Sequence, residues 1–161
     1  MLLALGPLGQ MPSLSRYTII TLGFALEDGF DIQSILDQAA NKIVDSFPWL
    51  AGQVVVEKPA EDNPTSSGTF RIIEYQPHNG TGKFVHVKDC KDLCPGFAEL
   101  VKSRAPASML DGSIICPAYG SASRYPEDVI KPVVIMQANI IKGGLLYVSS
   151  QCYKFVDVLG D

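Results

Sequence analysis

Histidine and tryptophan are scarce in this chain: among 161 residues there are two histidines, His78 and His86, and a single tryptophan, Trp49. A metal site needs three or four convergent ligands, and two separated histidines with no carboxylate at helical spacing do not supply one, so no bound metal is expected. Basic residues are also few, thirteen Lys and Arg against seventeen Asp and Glu for a net charge of −4. They stand singly, without the cluster that would follow a phosphate backbone, so nucleic acid is not an expected partner. Long apolar runs are missing too: nothing approaches the roughly 20 residues of a membrane helix. The opening Met1-Leu2-Leu3-Ala4-Leu5 has no basic region before it and breaks at Gly6-Pro7, unlike a secretory leader. A soluble, cytoplasmic protein with no membrane partner is expected. The four cysteines, Cys90, Cys94, Cys116 and Cys152, match neither a disulfide scaffold nor the paired C-x-x-C sets of zinc sites, and are expected as free thiols. Asn79-Gly80-Thr81 is a formal glycosylation sequon, but its Asn-Gly pair reads as a turn.

What is present is a core. Hydrophobic residues make up 47% of the chain and charged ones 19%, and 161 residues suffice for one ordinary domain. Tyr17 to Leu26, rich in β-branched and aromatic residues, predicts a strand ending at the turn Glu27-Asp28-Gly29. From Asp31, a plausible N-cap, the period becomes helical: Ile32, Ile35, Leu36, Ala39, Ile43, Val44 and Phe47 follow the i, i+3, i+4 rule, and Pro48 ends the run. Trp49 to Val56 leads into a second strand, and Glu57 to Gly68 reads as an exposed loop. Thr69 to Tyr75 and Phe84 to Lys88 predict two further strands, joined through the Asn-Gly turn as an antiparallel segment. Gly96 to Arg104 carries a short helical pattern stopped at Ala105-Pro106, and a turn of helix is expected near Met109. Pro132 to Ile141 and Leu145 to Gln151, separated by Lys142-Gly143-Gly144, predict a hairpin of two well-buried strands. The sum is an α+β fold with a mixed or antiparallel sheet, covered on one face by the amphipathic helix from Asp31 to Phe47. His86, alternating within a strand, is expected to face solvent or a hydrogen bond; Met109, Met136 and Trp49 are expected to pack.

Several stretches resemble one family. The opening LGPLGQM (Leu5 to Met11) is similar to an N-terminal signature L-S-P-L-D-Q, and FPWLAGQV (Phe47 to Val54) to F-P-x-L-A-G-R. GFAEL from Gly96, PASMLDGSIICP from Pro106 and the hairpin PVVIMQANIIKGGLLYVSSQ complete the match. Together they resemble the N-terminal half of fungal trichothecene 3-O-acetyltransferase-like acyltransferases, relatives of the plant BAHD enzymes with a chloramphenicol-acetyltransferase-like fold. The resemblance implies one N-terminal acyltransferase-like domain over residues 1–161, without the family's C-terminal domain and its D-F-G-W-G motif. It also implies acyl-CoA as co-substrate, a small-molecule alcohol as acceptor, no bound cofactor, and a role in secondary-metabolite biosynthesis. A second domain or a homo-oligomer would cover the interface left open.

The family motif is HxxxD followed by glycine, directly after the strand matched by Leu145 to Gln151. Here Asp157 and Gly160 occupy their motif positions, while Tyr153 stands at the histidine position and Cys152 before it. In the family the histidine takes the proton from the acceptor hydroxyl, and an imidazole with pKa near 6.5 suits that task. A phenol with pKa near 10 offers about one molecule in a thousand as base at pH 7. Tyr153 is thus a weak base at the motif position, and Asp157 implies a structural role in shaping the loop. Cys152, with no histidine nearby in sequence to activate it, reads as a packed thiol rather than a nucleophile. Two other readings stay open: a non-catalytic binding or scaffolding half-domain, and a gene fragment.

Overall fold

A computed structural model of the chain describes residues 3–5, 10, 17–27, 29–57, 69–74, 85–116 and 132–152. Its strands divide between two sheets. One has four strands in the order β2 (Tyr17–Ala25), β7 (Gly144–Cys152), β6 (Val134–Ile141) and β5 (Val85–Asp89). The β2–β7 and β7–β6 pairs are antiparallel and the β5–β6 pair is parallel, so the sheet is mixed as expected. The other sheet has three strands in the order β1 (Leu3–Ala4), β4 (Thr69–Glu74) and β3 (Gly52–Glu57), all antiparallel.

Helix α1 (Ile32–Ser46) begins where its cap chemistry predicts: the Asp31 carboxylate accepts the Ser34 N–H at 3.1 Å, and the chain turns at Pro48 into a 3-10 turn over Pro48–Ala51. Ile32, Leu36 and Ala40 pack on Val85, Met136, Ala138 and Leu145 of the four-stranded sheet. The predicted apolar face is wider than the face that is used. Ala40 is the buried residue of the helix, whereas Ile35, Ile43 and Phe47 remain 42–49% exposed. The opposite face of this sheet is covered as well, by α2 (Phe97–Lys102), a 3-10 turn at Ala107–Met109 and α3 (Gly112–Ile115), which bury Leu100 and Ile115 against Ile141, Leu146 and Val148. Helix α1 thus covers one face of the sheet, as expected, and the shorter helical elements pack on the other.

The expected hairpin between the strands near Thr69 and Phe84 does not form. β4 pairs with β3 and β1, while β5 joins the other sheet beside β6. Burial overrides the local turn signal here: Val54 opposite Ile72 closes a core with Leu5 and Val133, and Val85 and Val87 complete the layer beneath α1. The Asn79-Gly80 turn, His78 and the loop expected after Glu57 up to Gly68 lie outside the described residues, apart from Glu57 itself in β3. One apolar run serves both sheets: the Val133 N–H bonds to the Gly52 carbonyl at 3.0 Å, Pro132 bridges to Gln53, and β6 starts at the next residue, Val134.

Candidate active site

The hairpin β6–β7 leads the chain to the motif. Its two-residue turn places Gly143 at φ +69°, a left-handed conformation that glycine adopts without strain. Gly144 is required for a different reason. A Cβ there would stand 2.6 Å from the Phe97 Cβ and 2.8 Å from the Phe24 carbonyl oxygen. The Phe97 N–H also bonds to the Lys142 carbonyl at 2.9 Å, so the GFAEL stretch and the Gly-Gly turn are two halves of one packing contact. β7 then runs between β2 and β6 and ends at Cys152, opposite Tyr17. Tyr153, Asp157 and Gly160 lie outside the described residues, as does the Cys152 side chain.

Beneath the hairpin lies a polar network that pattern reading missed. Asn139 is fully buried; its Nδ2 donates to the carbonyls of Ile115 (3.0 Å) and Leu146 (3.2 Å). Its Oδ1 accepts from Gln137 Nε2 at 2.7 Å and from the Cys90 thiol at 3.5 Å. Gln137 and Asn139 are two residues apart in β6 and share its α3 side, so polar residues in an otherwise apolar strand were the one available signal. Ser150, three residues before Tyr153, is also fully buried, and its hydroxyl finds no hydrogen-bond partner among the described residues.

The titratable groups near this strand are shifted away from reactivity. Burial, reinforced by the neighbouring Cys90, pushes the Cys94 thiol up, and burial raises Cys116 and the Tyr147 phenol. Cys90, Cys94 and Cys116 are free thiols packed in or against one core cluster, as expected. His86 is exposed in β5, Met136 is in the core, and Met109 and Trp49 pack against core clusters. Among the described residues no group of three or more His, Cys, Asp or Glu could hold a metal ion, and no helix is long and apolar enough to cross a membrane.

A cavity of about 620 Å³ opens on the α2 side of the sheet, between Ile19, Thr21 and Gly23 of β2 and Phe97, Leu100 and Leu110. Arg104 and Ala105 on its wall have φ of 58° and 43°, closing α2 through the bonds Ala105 N–H to Leu100 carbonyl and Arg104 N–H to Val101 carbonyl. Its β7 residue, Leu146, is six residues from Cys152, or about 20 Å at the rise of a strand. Its β2 wall continues to Ile19, which pairs with Ser150, so the cavity runs along β2 to a point two residues short of Cys152 in the register.

The model of the trichothecene 3-O-acetyltransferase-like N-terminal domain matches residues 16–161. The chain belongs to this family. Among relatives of the trichothecene 3-O-acetyltransferase-like family, it is 35% identical to O-acyltransferase pigD of Monascus ruber, over 86% of this chain and 31% of that protein. It is 35% identical to trichothecene 3-O-acetyltransferase TRI101 of Fusarium sporotrichioides, over 94% of this chain and 33% of that one. The crystal structure of the latter enzyme with coenzyme A and T-2 superimposes with a TM-score of 0.79, at 30% identity, covering 96% of this chain and 35% of that chain. The fold is accordingly the chloramphenicol-acetyltransferase-like α+β fold. The chain spans about a third of the length of the curated relatives it matches.

Proposed function

We propose that this chain is the N-terminal acyltransferase-like domain of an acyl-CoA-dependent O-acyltransferase of secondary metabolism, impaired by itself because Tyr153 replaces the motif histidine. The observation that carries the reading is the hairpin β6–β7, whose second strand ends at Cys152 directly before the motif, together with family membership over residues 16–161. In acyl transfer the acceptor hydroxyl loses its proton to a base, its oxygen attacks the thioester carbonyl, and collapse of the tetrahedral adduct releases coenzyme A as the thiol. Tyr153 is a poor base for the first step at neutral pH. Asp157 shapes the loop rather than moving protons. The related Fusarium crystal structures are complexes with coenzyme A and with T-2 or deoxynivalenol, which makes an acyl-CoA and a small-molecule alcohol the first compounds to assay.

The test is product formation from acetyl-CoA and deoxynivalenol, followed by mass spectrometry. The chain alone is expected to show no enzymatic rate. Joined to the remaining two thirds of a relative, the Tyr153→His variant is expected to exceed the Tyr153 form by about 10²- to 10⁴-fold, the usual contribution of a general base. An ordinary enzymatic rate from the 161-residue chain, lost in Asp157→Ala, would overturn the impairment. A second reading, a non-catalytic scaffolding half-domain, is favoured by one observation: a well-formed core combined with large exposed apolar residues on β2 and α1. A ligand-induced thermal shift with the apolar acceptor, in the absence of turnover, would support it.

A further inference from the structure

Cys90 and Cys94 stand in contact on the connection from β5 to α2. The chain makes one turn between them: the Cys94 N–H bonds to the Cys90 carbonyl at 3.1 Å, and the Leu93 N–H to the same carbonyl at 3.0 Å. Such an i to i+4 turn separates α-carbons by about 6 Å, inside the range of about 4.4–6.8 Å that a disulfide bridges. The turn is pinned at both ends, by the Cys90 N–H on the Ile140 carbonyl at 2.8 Å and the Phe97 N–H on the Lys142 carbonyl at 2.9 Å. The two thiols are hydrogen-bonded to each other, and Cys90 donates onward to Asn139 Oδ1 at 3.5 Å. Cys90 is fully buried, whereas Cys94 is partly exposed. A chain of polar contacts therefore leads from the surface at Cys94 to the network beneath the β6–β7 hairpin. Cys116 packs against the same cluster, but its sulfur lies over Gly112, 3.8 Å from where a Cβ there would stand.

We propose that Cys90 and Cys94 are a reversible dithiol–disulfide pair, a modification site whose oxidant is a low-molecular-weight disulfide such as oxidised glutathione. The order of steps follows from access. The Cys94 thiolate attacks one sulfur of the oxidant, and the displaced glutathione thiolate takes up a proton, leaving a mixed disulfide on Cys94. The Cys90 sulfur, losing its proton to the departing second glutathione, then attacks Cys94 Sγ and closes the bridge. Two protein thiols give up two electrons and two protons, and one oxidised glutathione becomes two reduced ones. Burial and the neighbouring Cys90 hold the Cys94 thiol up, so the first attack is slow at neutral pH. It should quicken by about tenfold per pH unit as the thiolate fraction grows. The second step is intramolecular and needs no reagent to reach buried Cys90. Closure withdraws the Cys90 S–H from Asn139 Oδ1 and leaves that oxygen the Gln137 amide, so the network under the hairpin registers the oxidation state.

The pair is independent of acyl transfer, and its test reads covalent linkage. The reduced 161-residue chain is treated with oxidised glutathione at about pH 7 to 9, quenched with acid, and followed by intact mass and by tryptic mapping. The expected product is lighter by two hydrogens and retains no glutathione. Peptides 89–91 and 92–102 should be joined through Cys90 and Cys94 and separate again in dithiothreitol. The Asn139 side-chain amide resonances should shift on closure. Cys90→Ser should stop at a glutathione adduct on Cys94, and Cys116→Ser should close as the parent chain does. A glutathione adduct that persists on Cys94 in the parent chain, a linkage to Cys116 or Cys152 in its place, or thiols left unreacted in the folded chain at every pH would each overturn the proposal.

Discussion

Asn139 holds together four parts of the chain: β6 through its own backbone, α3 through the Ile115 carbonyl that Gln137 shares, β7 through the Leu146 carbonyl, and the Cys90 thiol after β5. Asn139→Leu keeps the volume but removes a buried donor from the Ile115 and Leu146 carbonyls and a buried acceptor from Gln137 and Cys90, leaving Gln137 only the Ile115 carbonyl, so a loss of about 2–4 kcal/mol is expected in urea denaturation. Gln137→Leu should cost less, because the two acceptors it leaves, the Ile115 carbonyl and Asn139 Oδ1, each keep another donor, Asn139 Nδ2 and the Cys90 thiol. Asp111 is the residue with the plainest pH signature. Its carboxylate accepts from Ser113 Oγ at 2.7 Å and from the Ser113 N–H at 2.8 Å, and both bonds hold it below the ordinary carboxylate range. A depressed folded pKa contributes stability that is present above the unfolded value and lost as pH falls through the folded one. Carboxyl-carbon NMR should therefore find Asp111 titrating low, and Ser113→Ala should move it back up.

The elements owe their positions to a few close contacts. Gly144→Ala would drive a Cβ into the Phe97 side chain and the Phe24 carbonyl, and a loss of about 1–3 kcal/mol in thermal or urea unfolding is expected. Phe97→Leu should not rescue it, since the Cβ and Cγ atoms that collide are retained. Gly23→Ala, whose added carbon would meet Phe97 Cε2 at 3.5 Å, should be tolerated. Gln10 gives the N-terminal signature a physical meaning. Its Oε1 accepts the Phe70 N–H at 2.7 Å while Nε2 donates to the carbonyls of Phe70 and Leu5, so one amide tethers the opening segment to β4 as a backbone peptide would. Gln10→Glu keeps one of these bonds and turns the donor toward two carbonyls into an acceptor. About 1–3 kcal/mol should be lost in urea denaturation, with β1 the first strand to lose amide-exchange protection.

At the scale of the whole molecule, the described residues bury three clusters and still expose large side chains on β2 and α1. The intact mass of the native polypeptide is the decisive measurement. A mass near 17.4 kDa would favour the scaffolding reading. A mass roughly three times larger, in keeping with the third of each relative that this chain spans, would leave the Tyr153 substitution as the remaining obstacle to ordinary acyl transfer. In that longer protein, a pH–rate profile rising toward the phenol range would identify Tyr153 as the working base, and a plateau near neutrality would exclude it.

The sequence by itself determined the elements whose signals are local. The cap and period of α1, its stop at Pro48, the Gly-Gly hairpin and the short helix after Gly96 were all legible, because capping, turn geometry and burial period act within a few residues. It also assigned the family through short stretches whose packing roles, at Gln10, Phe97 and Gly144, are visible only once the chain is folded. The tertiary structure alone decided that β4 and β5 part company into different sheets, that β5 runs parallel to β6, and that half of the apolar arc of α1 stays outside. Those outcomes depend on which distant surfaces compete for burial, and an Asn-Gly turn of a few residues has no hold over strands that gain more apolar contact elsewhere.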